Sequence, residues 1–326
     1  MKGPEQLTQP AAGAFPLRRF AATRISQAIE GDLRIAGGEG IVQGVHRAAV
    51  NIGWRGGLLT VAHESLGCLP NGILVDPPIA LDQIGITMGM RVQCDGSKLH
   101  LPGASVVVLV SGAVSWSPAM PVVRGLTVSD RMERAQHALS LAADQAPRIG
   151  LGPLLLGIVD QQTSAGSLGR AAAKALVQVL DALDEGSPQR AVSASLPLIG
   201  LGPGATPSGD DLLVGFAAGL AATDHPLARP FAEGVAREAK GLTTSVAESY
   251  LAHAGRLEFA ERVHGTALAV LTGSQADVRK AVSEALAWGA SSGVDLLLGL
   301  LVGIQAPAPA LAERLSACAA QGDVAA

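Results

Sequence analysis

The segment Pro207 to Leu220, PSGDDLLVGFAAGL, returns 84 residues later as Ser291 to Ile304, SSGVDLLLGLLVGI. Seven of the fourteen positions are identical at that offset: Ser208/Ser292, Gly209/Gly293, Asp211/Asp295, Leu212/Leu296, Leu213/Leu297, Gly215/Gly299 and Gly219/Gly303. A duplicated segment implies a duplicated supersecondary unit. Glycines four residues apart in both copies further predict two helices that pack at short distance, against each other about a pseudo-twofold axis. Upstream, Arg190-Ala191-Val192-Ser193 faces Lys280-Ala281-Val282-Ser283 at an offset of 90. Each copy then reads as helix, loop, helix, and the first carries six additional residues, in the loop around Leu201 to Thr206.

Within each copy the spacing Ser-x-x-Asp predicts a capping box. Ser208 and Ser292 accept from backbone N–H groups, and Asp211 and Asp295 return a bond at the positive helix end. Capping does not account for Asp210, whose counterpart is Val294, or for the longer loop Gly200 to Thr206. That loop has the composition of one that brings its backbone close to a ligand, and it feeds a helix N-terminus, which favours phosphate or carboxylate. Two carboxylates would repel such an anion unless Mg²⁺ or a substrate amide lay between them. Asp210 and Asp211 are therefore the candidate catalytic pair and the candidate Mg²⁺ ligands, with the second copy as scaffold.

The helical spacing that frames this repeat extends from about Thr127 to the end, clearest in SDRMERAQHALSLAADQ and SLGRAAAKALVQVLDALDEG. It predicts a domain of about eight to ten helices over residues 124–326, with PAPA at 307–310 introducing the last. Residues 33–123 read differently: short Val, Ile and Leu runs separated by Gly, Asp and Pro predict six to eight short strands. Residues 1–32 read as a tail with one short amphipathic helix around Arg19 to Glu30. The expected class is α+β, a strand-rich domain packed on a helical one.

Composition narrows the function. Charged residues make up 16% of the 326 and hydrophobic ones 48%, so the chain is compact rather than disordered. Aromatics are only 3% and glycines number 40, which calls for a core of small aliphatic side chains. A net charge of -4 without a basic stripe excludes nucleic acid as the expected partner. Apolar runs such as Leu212 to Ala222 are about half the length of a bilayer span. Cys68, Cys94 and Cys318 lie far apart in no zinc-type spacing, as expected of reduced thiols in a cytoplasmic protein.

Two paper matches fail on context. Gly200-x-Gly202-x-x-Ala205 lacks a βαβ unit, and Gly289-Ala290-Ser291-Ser292-Gly293 lacks a preceding strand and a later histidine. Thr243, Thr244 and Ser245 read as helix-capping hydroxyls that can also bind a small polar ligand. His46, Asn51 and Pro70-Asn71-Gly72 are candidates to reach a cleft between the domains.

The ordered stretches GLGPGATPSGDDLLVGF, LTTSVAESYLAHAGRLEF and WGASSGVDLLLGLL resemble a bacterial family long labelled a domain of unknown function, which includes the AllH subunit of oxamate carbamoyltransferase from allantoin catabolism. VHRAAVNI extends the likeness into the strand-rich half. The resemblance implies a heteromeric enzyme with an FdrA-type subunit and a further subunit, converting oxalurate and phosphate to oxamate and carbamoyl phosphate. It assigns Gly202, Gly204, Thr206, Ser208, Gly209, Asp210 and Asp211 to the main motif, Thr243, Thr244 and Ser245 to the second, and Ser292, Gly293 and Asp295 to the third. These residues, with Asn51, form the expected binding set for a small carboxylate or phosphate. A non-catalytic assembly or regulatory subunit and a carboxylase-like enzyme on another small substrate are the alternatives.

Overall fold

The structure, a computed structural model, describes residues 17–35 and 37–321. The chain is α+β. Expectations for residues 1–16 lie outside the described part.

The strands are β1 (Arg18–Ser26), β2 (Gly38–Val45), β3 (Ala49–Trp54), β4 (Gly57–His63), β5 (Gly72–Val75), β6 (Arg91–Cys94), β7 (Lys98–Leu101), β8 (Val106–Leu109) and β9 (Val114–Trp116), with helix α1 (Gln27–Arg34) between the first two. Residues 33–123 contain eight of these strands, within the six to eight expected there; the ninth, Arg18–Ser26, is a strand where the sequence reading placed a helix. Its RRFAATRIS pattern is rich in Ala and Arg, yet Ala22 and Ile25 are buried with Phe20 beside them, and tertiary pairing decides. The first half of β1 runs parallel to β8 (Arg18↔Val106, Ala21↔Leu109), and after a bulge its second half pairs antiparallel with β5 (Ala22↔Val75, Ile25↔Ile73). One strand thereby closes the series β5-β4-β3-β2-β6-β7-β8-β1 into a barrel, with β9 added beside β1. At eight strands the interior is wide enough only for side chains, and Val42, Val50, Ile52, Leu59, Ile73, Val92, Leu99 and Val106 fill it.

Helices follow: α2 (Val128–Ala143), α3 (Gly152–Val159), α4 (Gly166–Asp184), α5 (Pro188–Ser195), α6 (Ser208–Ala222), α7 (Ala228–Glu238), α8 (Ser245–Ala254), α9 (Glu261–Thr272), α10 (Gln275–Leu286), α11 (Ser292–Gln305) and α12 (Pro309–Ala320). The last starts at the PAPA segment, as expected. By contacts the described chain divides into a barrel unit (residues up to Ile25, Ile29–Leu66, Ile73–Ser115) and a helical unit (Ser26–Ala28, Gly67–Gly72 and Trp116 onward). Among the described residues no helix is long and apolar enough to cross a membrane, and all three cysteines are free and buried.

The duplicated helices, α6 and α11, form the centre of the helical unit. Every residue of α6 is buried and α11 is buried from Gly293 onward, as apolar-all-round sequences require. Their mutual contact is the most extensive between any two elements. A Cβ on Gly215 would lie 2.0 Å from the Leu296 carbonyl oxygen, and one on Gly299 2.0 Å from that of Leu212. Gly219 meets Leu300 at 2.4 Å and Gly303 meets Phe216 at 2.3 Å. Residue i of one copy thus touches j of the other and j touches i, which is the signature of a twofold relation.

The helices preceding them obey a different offset from the one read in the sequence. Ser187 and Ser274 cap α5 and α10. Leu198 and Ala285 present carbonyls against Gly209 and Gly293, and Leu201 and Trp288 accept from the N–H groups of those same two glycines. Each of these three pairs stands 87 apart, against 84 in the second helices, so the first copy carries three additional residues rather than six. The Arg190/Lys280 match at 90 was a chance alignment of similar helical surfaces.

Candidate functional site

Neither duplicated helix has the capping box expected of it. Pro207 and Ser291 are the capping residues, neither with a side-chain capping bond, although the Ser291 side chain bonds Asp295, so Ser208 and Ser292 are each the first helical residue and Asp211 and Asp295 stand one place too far along. The two Ser-Asp pairs are exchanged instead. Ser292 of the second copy bonds Asp211 of the first, and Ser208 of the first bonds Asp295 of the second. The twofold packing of α6 on α11 brings the four groups together at adjacent helix N-termini.

The copies then differ. Asp295 is 0% exposed, and its Oδ1 accepts from the Leu151 N–H at 2.6 Å. Gly150, at φ +56, leaves no room for a side chain: a Cβ there would lie 2.5 Å from Asp295 Oδ1. Asp295 is thereby sealed under the Gly150–Leu151 turn, and burial raises its pKa. Asp211, 6% exposed, bonds Ser292 and Thr206, whose hydroxyls lie 2.9 Å apart. Its Oδ2, like that of Asp295, is buried without a hydrogen-bond partner, but only Asp211 lines a cavity. Burial, opposed by those hydroxyls and helped by the charges of Asp295 and Asp210, pushes Asp211 up to about 7.

Asp210 points elsewhere. Its Oδ1 accepts from the Gly200 N–H at 3.1 Å and its Oδ2 from the Thr243 hydroxyl at 2.5 Å. The neighbouring Thr244 caps α8 and donates to the Ala205 carbonyl. Asp210 is therefore a latch that fixes the Gly200–Thr206 loop against the turn ahead of α8, with burial raising its pKa. Asp210→Asn and Thr243→Val should each lower stability by about 1–3 kcal/mol, as loss of a buried bond to a carboxylate does. Urea denaturation of the purified chain checks this.

A cavity with about 630 Å³ of empty space, its mouth included, opens beside Asp211. Its polar groups are Thr206, Asp211, Tyr250, Glu258 and Ser292, and its walls are Leu69, Val214, Phe259, Val263, Trp288 and Leu296 among others. Pro70 also lines it, on the Gly67–Gly72 segment that groups with the helical unit. That segment is held by Glu261, which accepts from the Cys68 N–H at 2.9 Å and donates its own N–H to the Cys68 carbonyl. Arg262 sits 5.6 Å above the Trp288 ring and steadies that wall.

Tyr250 and Glu258 set the electrostatics with Asp211. Burial and the charge of Asp211 push the Tyr250 phenol up to about 12, so it remains a neutral donor. Burial works to raise Glu258, but His253, with Nδ1 2.7 Å from Oε2, and Arg256, with Nε 2.9 Å from the same oxygen, outweigh it and hold the carboxyl below its ordinary range. One cavity thus contains a carboxylate that stays ionised and a carboxyl that holds its proton to neutrality. Among the described residues no Lys or Arg lines it.

Of the expected residues, Thr206, Asp211 and Ser292 meet in the cavity. Gly202 and Gly204, both at φ +106, shape the loop but do not line it, and Ser245 is exposed at the start of α8. Gly209 and Gly293 admit the Leu198 and Ala285 carbonyls, each of which would lie 2.0 Å from a Cβ at the glycine. Asn51 is in the barrel, where its Oδ1 accepts from Thr60 at 3.1 Å. Both Asp210 oxygens hold donors, the Gly200 N–H and the Thr243 hydroxyl, and Asp210 does not line the cavity with Asp211. Among the described residues no group of three His, Cys, Asp or Glu converges on a point. Sequence reasoning missed Tyr250, Glu258 and Trp288. The only tyrosine of an aromatic-poor chain, inside SVAESYLAHAGRLEF, was the available signal.

Two family models match the chain, one over each half. A family model described as oxamate carbamoyltransferase subunit AllH matches residues 198–304, which span the loop, both duplicated helices and the cavity floor. A second, described as the AllH family N-terminal domain, matches residues 19–115, the barrel. No curated protein and no solved structure matches the chain. With the two family models together covering most of its length, the chain belongs to the AllH family, described as a subunit of oxamate carbamoyltransferase.

Proposed function

We propose that the chain is the ureide-holding subunit of a cytoplasmic, heteromeric carbamoyltransferase of the oxamate type, working with an FdrA-type subunit and a further subunit. The reaction transfers a carbamoyl group from a ureide to phosphate, with oxalurate giving oxamate and carbamoyl phosphate as the family reaction. One observation carries this reading: Asp211, with a buried and unpartnered carboxyl oxygen, lines a cavity together with hydroxyl side chains.

In such a transfer the phosphate oxygen forms a bond to the ureido carbon, the C–N bond to the leaving amide breaks, and that nitrogen takes up a proton. A carboxyl that titrates at about 7 is suited to hold and release this proton near neutrality. With the Thr206 and Ser292 hydroxyls bonded to Asp211, the Tyr250 hydroxyl, which stays neutral in the same cavity, can donate to the carbonyl oxygen as its charge grows. Nothing in the cavity offsets the charge of phosphate, so the cation that receives it belongs to a partner subunit.

The test is to co-express the chain with its genomic neighbours, purify the assembly and follow phosphate-dependent carbamoyl phosphate formation from oxalurate. We expect turnover by the assembly, none by the chain alone, and loss of at least a hundredfold in kcat on Asp211→Asn. Turnover by the isolated chain would refute the dependence on partners. An assembly that forms no carbamoyl phosphate from any ureide would refute the reaction class.

A further inference from the structure

We infer that Glu258 fixes which nitrogen of the ureide stays with the carbamoyl group: its free oxygen accepts from the terminal –NH₂, so that the substituted nitrogen is the one left to take a proton. The inference deepens the reading above by assigning a specificity residue. It rests on that reading for the reaction, and its test by binding is independent of turnover.

Glu258 lines the same cavity as Asp211 and Tyr250, yet the transfer step gives it no task. Its Oε2 is held by His253, with Nδ1 at 2.7 Å, and by Arg256, with Nε at 2.9 Å, while its N–H donates to the His253 carbonyl at 3.0 Å. The carboxylate is thus fixed at one oxygen. Its other oxygen, Oε1, takes no hydrogen bond from the described residues and is open to a ligand. A carboxylate oxygen left in that condition recruits an N–H from what enters.

A ureide, R–NH–CO–NH₂, is planar and presents three different edges. The carbonyl oxygen needs a donor, which the neutral Tyr250 phenol supplies. The substituted nitrogen needs a proton as its bond to carbon breaks, and Asp211 is the carboxyl that still holds one near neutrality. The terminal –NH₂ must be held by a group with no proton to give, because protonating it would expel ammonia and leave no carbamoyl group to transfer. Glu258 meets that requirement, since His253 and Arg256 hold it ionised below its ordinary range and an ionised carboxyl only accepts. Two carboxyl groups whose environments push them apart divide the roles between the two nitrogens. The atoms balance: the phosphate oxygen bonds to the ureido carbon, the C–N bond to the amide breaks, and that nitrogen keeps the electron pair and takes the Asp211 proton. The hydroxyl proton of the attacking phosphate restores Asp211. The terminal nitrogen neither gains nor loses a proton. In oxalurate the carboxylate sits at the end opposite the terminal –NH₂, so this orientation also keeps the two negative charges apart.

The experiment is isothermal titration of the full-length chain at pH 6.5 with oxalurate and with its derivative dimethylated on the terminal nitrogen, which has no N–H to give Glu258. Oxalurate should bind saturably and the derivative about tenfold or more weakly. Glu258→Gln keeps the shape of the side chain and an oxygen for His253 and Arg256 but turns an –NH₂ towards the ligand. It should weaken oxalurate about tenfold or more and leave the derivative unchanged, so that the discrimination disappears while circular dichroism shows a folded chain. Should that variant fail to fold, Arg256→Met, at a residue 53% exposed and outside the cavity lining, releases the same carboxylate and should reduce the discrimination in its place. Equal binding of the two ligands by the wild type, full discrimination in the variant that folds, or no saturable binding of oxalurate would each overturn the inference. A discriminating chain in an assembly that forms no carbamoyl phosphate would count against the reaction class and uphold the contact. An assembly that turns over both ligands alike would uphold the reaction and overturn the contact.

Discussion

At pH 8 the Asp211→Asn chain should be more stable than the wild type by about 1–3 kcal/mol and should bind no ureide. The two effects have one cause. Folding buries the Asp211 carboxyl and raises it from an ordinary value near 3.8 to about 7. At about 1.4 kcal/mol for each pH unit, that displacement corresponds to roughly 4 kcal/mol of strain once the group is ionised. The sign follows from linkage. Below about pH 4 both states hold the proton and Asp211 costs nothing. Between pH 4 and 7 the unfolded chain releases its proton while the folded chain keeps it, so stability falls, and above pH 7 the loss is complete. Asparagine removes the titration, retains an acceptor for Ser292 and Thr206, and leaves an unpartnered –NH₂ that costs about 1–3 kcal/mol at every pH. The difference in stability between the two proteins should therefore grow from pH 4 to 7 and then level off. Charged and titratable neighbours bear on the absolute curve: Asp210 on the same helix, Asp295 on α11, Tyr250 on α8 and Glu258 ahead of α9. Their own burial is common to both proteins, but their coupling to Asp211 is lost with its charge and enters the difference, since Asp295 and Asp210 raise Asp211 and Asp211 raises Tyr250. Thermal melts at six pH values, with a parallel ureide titration, measure both halves. A variant that loses stability as well as binding would make Asp211 structural, like Asp295.

The duplication was legible because close helix packing imposes a local and unforgiving requirement: Gly215, Gly219, Gly299 and Gly303 fall at the same places in both copies. What the repeat does with its polar residues was not legible. A Ser-x-x-Asp spacing looks alike whether the pair closes on its own helix or exchanges with a symmetry mate, and a one-residue shift of the helix start decides which. The two carboxylates at the head of α6 were also indistinguishable in sequence, since Asp210 finds Thr243 across 33 residues and Asp211 finds Ser292 across 81. Expecting them to act together followed from adjacency, but neighbours on a helix point about 100° apart. The missing members, Tyr250, Glu258 and Trp288, are brought in by α8 and by the ends of α9 and α10, and only packing could select them from other helical side chains. The strand at Arg18–Ser26 was misread for the opposite reason. Its residues suit a helix locally, and only the gap between β5 and β8 makes them a strand.

The largest structural effect should come from one methyl group. Gly215→Ala should destabilise the helical unit by more than about 3 kcal/mol, above the usual range for overpacking, and Gly299→Ala should do the same. A Cβ at either site lies 2.0 Å from a carbonyl oxygen of the opposing helix and 2.9 Å from two further backbone atoms. No side-chain rotation relieves a clash with backbone, so α6 and α11 must move apart along their whole contact. That movement also separates Ser292 from Asp211 and Ser208 from Asp295, which couples the packing defect to the site. Because either substitution forces the same separation, the double variant should lose much less than the sum of the two single losses. Gly265→Ala is the control. Gly265 is an exposed glycine of α9 with nothing within 4 Å of a new Cβ, and alanine there should raise stability by about 0.5–1 kcal/mol through helix propensity. Chemical denaturation of the four proteins decides the matter. Additive losses at Gly215 and Gly299, or losses no larger than about 1 kcal/mol, would mean that the two helices are not in backbone contact and that the exchanged Ser-Asp pairs do not form.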